Sequence, residues 1–82
     1  MLILREERII DNDNIIGSNI RRIRLEKGIG QTELVKQLQL MDVDITRETL
    51  VKIESGKQHI KLEQIQNIKK FFEISYEDKL DK

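Results

Sequence analysis

The sequence predicts an all-α fold, a compact bundle of four or five helices preceded by a short N-terminal arm. Helix breakers are rare, because the 82 residues include no proline and only four glycines. Leucine and isoleucine recur at spacings of three and four along several segments, as on the buried face of amphipathic helices. A chain of this length forms one domain. We therefore expect an arm at residues 1–13 and a helical domain at residues 14–80.

Composition excludes several kinds of chemistry. The chain has no cysteine, and its single histidine, His59, cannot form a histidine metal site. We therefore expect neither a metal nor another cofactor. No apolar run approaches the roughly 20 residues of a membrane span, and acidic residues follow the first apolar residues where a signal peptide would stay apolar. These features predict a cytoplasmic protein.

The arm has a pattern that fits two structures. Apolar residues stand at both ends of residues 1–10 with charged residues between them, which suits either a short strand or a short helix. A polar cluster at residues 11–14 then indicates a loop, in which Asp13 or Asn14 is the expected cap of the first helix. The arm is either a frayed end or a segment that packs on the body or on a second subunit.

Two amphipathic helices follow the arm. The first is expected at residues 15–27 and ends at Gly28, and the second is expected at residues 31–40 after a tight connection. Their apolar faces are formed by Ile16, Ile20 and Ile23 in the first helix and by Leu34, Val35 and Leu38 in the second.

A third, shorter helix is predicted at residues 46–55. Thr46 can cap it and Gly56 can end it in the left-handed conformation. Two turns do not persist alone in water, so this helix must dock by its apolar side and leave its polar side free to bind something. A fourth helix at residues 61–73 follows, and Ser75 with Asp78 resembles a capping box that starts a fifth helix.

Taken together, these segments resemble the helix-turn-helix domain of phage repressors and bacterial Xre-type regulators over residues 14–80. The most specific motif is Gln-Xaa-Glu-Leu at residues 31–34, followed by Arg-Xaa-Thr-Leu-Xaa-Lys-Ile-Glu-Xaa-Gly-Lys at residues 47–57. Further matching positions are Ile16-Gly17, Ile20-Arg21, Arg24, Lys27-Gly28-Ile29, Leu38 and Ile74-Ser75. The connection after the second helix is longer than is usual in the family, and Gly30 replaces a serine or threonine cap.

The resemblance implies a lambda-repressor-like fold that binds a double-stranded DNA operator. In this family the third helix is the recognition helix and enters the major groove. The matching positions assign base contacts to Arg47, Glu48 and Lys52 and phosphate contacts to Gln31, Thr49 and Lys57. They also imply a structural ion pair between Glu54, beneath the recognition helix, and Arg24 of the first helix.

One recognition helix reads only a few base pairs, so we expect a homodimer that reads two half-sites. The alternative for the apolar residues near the termini is local packing in a small core. The residues that we nominate for the dimer contact are Phe71, Ile74, Tyr76 and Leu80, together with Leu2, Ile3 and Leu4.

The expected function is sequence-specific transcriptional regulation, most simply repression. On the same fold, an antitoxin would use the arm to bind a protein partner. A protein-interaction module without DNA activity is a further alternative, favoured by the net charge of zero and by Glu48 on the recognition face. An enzyme is the weakest alternative, because Asp42 and Asp44 lie in a predicted loop without a nucleophile or a base beside them.

Overall fold

The fold consists of a β-hairpin followed by four helices. The structure, a computed structural model, describes the backbone of residues 2–5 and 8–80 and the side chains of residues 9–74. This architecture confirms the predicted all-α bundle, and the arm takes the strand form of the two that its pattern allowed. The elements are β1 (Leu2–Arg5), β2 (Arg8–Asp11), α1 (Ile15–Glu26), α2 (Gln31–Leu40), α3 (Arg47–Glu54) and α4 (Leu62–Leu80).

The hydrophobic core contains residues from all four helices and from the loops between them. Ile20 of α1 is buried, with its predicted neighbours half-buried, and the three predicted core positions of α2 are buried. Each side chain of this size that leaves water contributes about 1.5–3 kcal/mol to folding. The most completely buried side chains are Leu34, Leu38, Leu50, Ile53 and Ile68.

The predicted break between a fourth and a fifth helix is wrong. Helix α4 runs without interruption from Leu62 to Leu80, so Ser75 lies inside it and does not cap a new helix. A capping serine requires a non-helical backbone, and no glycine or proline between residues 62 and 80 forces the chain out of the helix.

Three helices end in the same hydrogen-bond pattern. After α1, α2 and α3 the chain turns at Gly28, Asp42 and Gly56, which have φ values of 70°, 64° and 81°. In α3 the N–H of Lys57 donates to the Lys52 carbonyl at 2.8 Å and the N–H of Gly56 donates to the Ile53 carbonyl at 3.2 Å. This is the Schellman arrangement, which satisfies carbonyls that a helix end leaves unpaired.

The start of α1 is capped by a different residue from the two that were expected. Asn14 occupies the cap position with a φ of 51°, but its side chain forms no cap hydrogen bond. Asp11 caps instead, since its Oδ2 accepts a hydrogen bond from the Ile16 N–H. The Asn14 amide instead binds α3, because its Nδ2 donates to the Glu54 carbonyl at 3.1 Å.

The hairpin is fastened to the helical body along β2. The Ile9 N–H donates to the Ile60 carbonyl at 2.9 Å, and the Asp11 N–H donates to Nδ1 of His59 at 3.5 Å. The Ile9 side chain packs against the core. The N-terminal segment therefore lies against the loop before α4.

Candidate nucleic-acid interface

Helix α3 is held by a cap at its start and by apolar contacts along one side. Thr46 Oγ1 accepts a hydrogen bond from the Thr49 N–H at 3.2 Å, which confirms the predicted cap. Leu50 and Ile53 are buried in the core. The eight residues of α3 are too few to form a stable helix alone, so these contacts fix where its opposite, polar side points.

We expect Thr46→Ala to lower the free energy of unfolding by about 1 kcal/mol, because the first turn of α3 loses its cap. Thr46→Ser keeps the hydroxyl and serves as the matched control. Urea unfolding monitored by circular dichroism measures both variants. Equal stability of the two variants would contradict the role of the hydroxyl.

The outward side of α3 presents the three residues assigned to base contact. Arg47 is exposed, and it has no hydrogen-bond or ion-pair partner among the residues that the structure describes. Glu48 and Lys52 form an ion pair one turn apart, with Nζ to Oε1 at 3.1 Å and side chains 78% and 47% exposed. An exposed ion pair of this kind is weak, so breaking it to bind a ligand costs Glu48 and Lys52 little free energy.

The three residues assigned to phosphate contact lie around α3 in different environments. The Thr46 hydroxyl donates to Thr49 Oγ1 at 3.0 Å, which leaves the Thr49 hydroxyl hydrogen to donate to another group. Lys57 is exposed, directly after the left-handed Gly56. Gln31 is half-buried, and its Nε2 donates to Glu54 Oε1 at 3.1 Å, so this side chain is tied to α3.

Glu54 and Arg24 form a buried ion pair between α3 and α1. Arg24 Nε and Nη2 each donate to one carboxylate oxygen of Glu54 at 2.9 Å, and Nη1 donates to the Ile29 carbonyl at 3.0 Å. Gln31 supplies a third donor to the carboxylate. Such a paired and fully bonded arrangement is how a protein tolerates buried charge. It links the end of α3 to α1 and to the start of α2.

Sequence reasoning missed two contacts that also position α3. Gly17 of α1 lies so close to α3 that a Cβ atom there would collide with the Ile53 carbonyl oxygen. Asn14 binds the next carbonyl along the chain, that of Glu54. The pairing of Ile16-Gly17 with the family pattern was the only sequence signal for the first contact. No local pattern signals the second, because its residues are 40 positions apart.

Val51 is a further residue that the sequence analysis did not assign to the site. It lies on α3 between Glu48 and Lys52 in sequence, and 38% of its surface is exposed although it is apolar. The signal was available, since Val51 falls off the stripe formed by Leu50 and Ile53. An apolar side chain on this face can contact a thymine methyl group.

The residues nominated for a dimer contact on α4 have different surroundings. Phe71 is half-buried against the core, with its ring centroid 6.2 Å from that of Phe72, whereas Ile74 is 46% exposed. The side chains of Tyr76 and Leu80 lie outside the described residues. The described part of this surface therefore offers one large exposed apolar side chain.

The described part of the chain contains neither a cluster of metal ligands nor a membrane-spanning helix. No group of three or more histidine, cysteine, aspartate or glutamate side chains there is arranged to hold a metal ion. No helix there is long and apolar enough to cross a membrane.

A capped two-turn helix with an exposed polar face, packed against the preceding helix in a small bundle, defines the class of helix-turn-helix DNA-binding proteins. The chain matches the family model described as helix-turn-helix over residues 20–79. It belongs to this family, which is the one that the sequence resemblance indicated and which consists of DNA-binding regulatory domains rather than enzymes. No curated protein and no solved structure gives a significant match to the chain.

Proposed function

We propose that this protein is a sequence-specific transcriptional regulator, acting as a repressor, that binds double-stranded DNA in the cytoplasm. The observation that carries the proposal is the exposed polar face of α3, with Arg47 exposed at its first turn and unpaired among the residues that the structure describes. The Thr46 cap and the Arg24–Glu54 pair fix this face relative to the rest of the molecule. Occupancy of the operator, without any chemical step, then blocks transcription.

Base reading is assigned to three side chains of α3. Arg47 suits the O6 and N7 acceptors of guanine, because its guanidinium can donate two parallel hydrogen bonds. Lys52 can donate to the same atoms, and Glu48 can accept from the N4 amino group of cytosine. In the free protein Glu48 and Lys52 bind each other, so the operator replaces one weak ion pair with two base contacts.

Phosphate contacts are assigned to residues that flank this face. Lys57 supplies a charge next to the rigid end of α3, and Thr49 supplies a hydroxyl donor at its start. Gln31 contributes through its position as the first residue of α2, whose N-terminus has no side-chain cap and therefore keeps backbone N–H groups for an anion. These contacts set the register of α3 without reading sequence.

A homodimer completes the proposal, because two recognition helices read a longer operator than one. Dimers of this class bind half-sites about one helical turn apart, and the operator mirrors their two-fold symmetry. The net charge of zero gives little attraction to DNA in general. Affinity must therefore come from specific contacts made by both copies.

Selection of binding sites from randomised duplex DNA at physiological salt tests the proposed function. We expect enrichment of a two-fold symmetric motif in which a guanine recurs in each half-site. Absence of enrichment, together with absence of binding at low salt, would contradict the proposal. It would favour the alternative of an antitoxin or a protein-interaction module that uses the same fold.

We expect Glu48→Gln to bind unrelated DNA more tightly and to lose preference at one base pair of the selected motif. The substitution removes a negative charge that phosphates repel, and it replaces a group that only accepts hydrogen bonds, as cytosine N4 requires, with an amide that also donates and can bind adenine N6 and N7. Glu63→Gln, which removes an exposed acidic charge from α4, is the control for net charge. Equal effects of the two variants would show that Glu48 acts only through net charge.

A further inference from the structure

The outer edge of β1 has main-chain groups that the rest of the described chain leaves unpaired. In the hairpin, Leu4 is opposite Ile9 and Leu2 is opposite Asp11. The N–H groups of Ile9 and Asp11 point away from β1, toward Ile60 and His59. Opposite residues of an antiparallel pair either exchange both hydrogen bonds or direct both groups outward. Leu2 and Leu4 therefore direct their N–H and C=O groups to the free side of β1.

The two sides of the sheet differ in what covers them. On the β2 side, the segment before α4 accepts a hydrogen bond through the Ile60 carbonyl. On the β1 side, the described residues provide no further strand, since the sheet contains only β1 and β2. An open edge of apolar residues is a site at which another strand can pair.

We propose that the strand that pairs there is β1 of a second copy of this protein, in an antiparallel four-stranded sheet across a two-fold axis. This inference specifies the interface of the dimer that the proposed function requires, and in that sense it rests on the proposed function. The reason for choosing a second copy is that the outward main-chain groups of β1 complement those of an identical antiparallel strand, in the register described next.

Only one register uses all the outward groups of β1. With Ile3 opposite Ile3 of the second copy, Leu2 of each copy is opposite Leu4 of the other, and both pairs exchange two main-chain hydrogen bonds. If one copy slides by two residues in either direction, only one hydrogen-bonded pair remains between the two β1 strands, either Leu2 opposite Leu2 or Leu4 opposite Leu4. The favoured register also places only apolar residues opposite each other and keeps Arg5 away from its copy.

The interface is small, so the free protein dimerises weakly. Each main-chain hydrogen bond between the copies replaces hydrogen bonds to water, so its net contribution is small. A four-residue strand also buries little surface. The operator strengthens the dimer by holding two copies side by side, which raises the effective concentration of one hairpin near the other. Dimerisation and operator binding are therefore coupled in this account.

A cysteine at position 3 tests the interface without DNA. The chain has no cysteine of its own. On the two-fold axis the Cα atoms of the two copies of residue 3 would be about 4.5 Å apart, which suits a disulfide. We expect Ile3→Cys to form a covalent dimer in oxidised glutathione at least about tenfold faster than Leu25→Cys. Leu25 is exposed on α1 and reports collisional crosslinking.

A second variant separates strand pairing from general proximity. Leu4→Pro removes an N–H that points to the free side, so the bonds between β1 and β2 persist. In the Ile3→Cys background it should reduce crosslinking to the Leu25→Cys rate, whereas Leu4→Ala should not. The proposed interface would be overturned if Ile3→Cys crosslinked no faster than Leu25→Cys. It would also be overturned if Ile3→Cys crosslinked rapidly and adding Leu4→Pro did not slow the reaction. Because DNA is absent, neither outcome depends on operator binding.

Discussion

Gly17→Ala is expected to destabilise the protein by about 3 kcal/mol, although Gly17 lies inside a helix. Helix propensity alone predicts the opposite sign, since alanine is favoured over glycine in a helix by roughly 0.5–1 kcal/mol. The collision decides the outcome, because the added Cβ would meet the Ile53 carbonyl oxygen and Oδ1 of Asn14. The first of these belongs to backbone, so α1 and α3 must separate.

The expected loss is measured by urea unfolding, with Gly30→Ala as the matched control. Gly30 has a φ of −76°, and a Cβ added there would meet no atom within 4 Å, so alanine fits and changes stability by at most about 1 kcal/mol. Operator affinity should fall in Gly17→Ala even at temperatures where the variant is folded, since α3 is displaced. A Gly17→Ala protein as stable as the natural one would contradict the close approach of α1 and α3.

Glu54→Gln is expected to lower the free energy of unfolding by about 3 kcal/mol or more, because it leaves the Arg24 guanidinium buried without a counter-charge. For a domain of this size that loss corresponds to a decrease of roughly 12 °C or more in melting temperature. Arg24→Ala should have a similar effect by leaving the Glu54 carboxylate unpaired. Both variants are measured by thermal unfolding.

An exposed ion pair on α1, the helix that contains Arg24, provides the control. Nη1 of Arg22 lies 2.8 Å from Oε1 of Glu26 on the surface of α1, and more than half of each side chain is exposed. Glu26→Gln should change stability by less than about 1 kcal/mol, because solvent screens this pair. If Glu54→Gln were no more destabilising than Glu26→Gln, the buried pair would not stabilise the position of α3.

Most of the fold could be predicted from local patterns. The stripes of α1 and α2, the Thr46 cap and the glycines that end α1 and α3 each depend on residues within a few positions of each other. The hairpin could not be predicted, since its short apolar runs fit a strand or a helix equally well. In the structure the strand form pairs with β1 and donates a hydrogen bond from the Ile9 N–H to the carbonyl of Ile60, 51 residues further along the chain, which no local pattern indicates.

The fifth helix and the cap of α1 were predicted wrongly for related reasons. A serine followed by an acid three residues later resembles a cap, but a continuous helix is equally compatible with those residues and needs no break. Asn14 is a good capping residue by type, yet tertiary structure uses its amide to bind the Glu54 carbonyl. In both cases the sequence motif was local and the competing structure involved a longer stretch of the chain.

In the candidate site, too, local spacing predicts which residues are exposed but not the contacts between residues that are far apart in the sequence. Amphipathic spacing predicts that Arg47, Glu48 and Lys52 share the outward side of α3, and they are exposed there. The tie between Gln31 and Glu54 joins residues 23 positions apart, and no spacing rule indicates it. Only the family resemblance indicated that Glu54 faces inward, because a glutamate on a short polar helix otherwise reads as a surface residue.

The measurement that tests the central claim most directly is the affinity of Arg47→Ala for the selected operator and for unrelated duplex DNA, by fluorescence anisotropy. Lys70→Ala is the control, because it removes the same charge from an exposed position on α4. We predict that Arg47→Ala weakens operator binding by about tenfold or more and loses preference for its guanine, while Lys70→Ala keeps that preference. Equal, sequence-independent effects of the two variants would contradict base reading by α3.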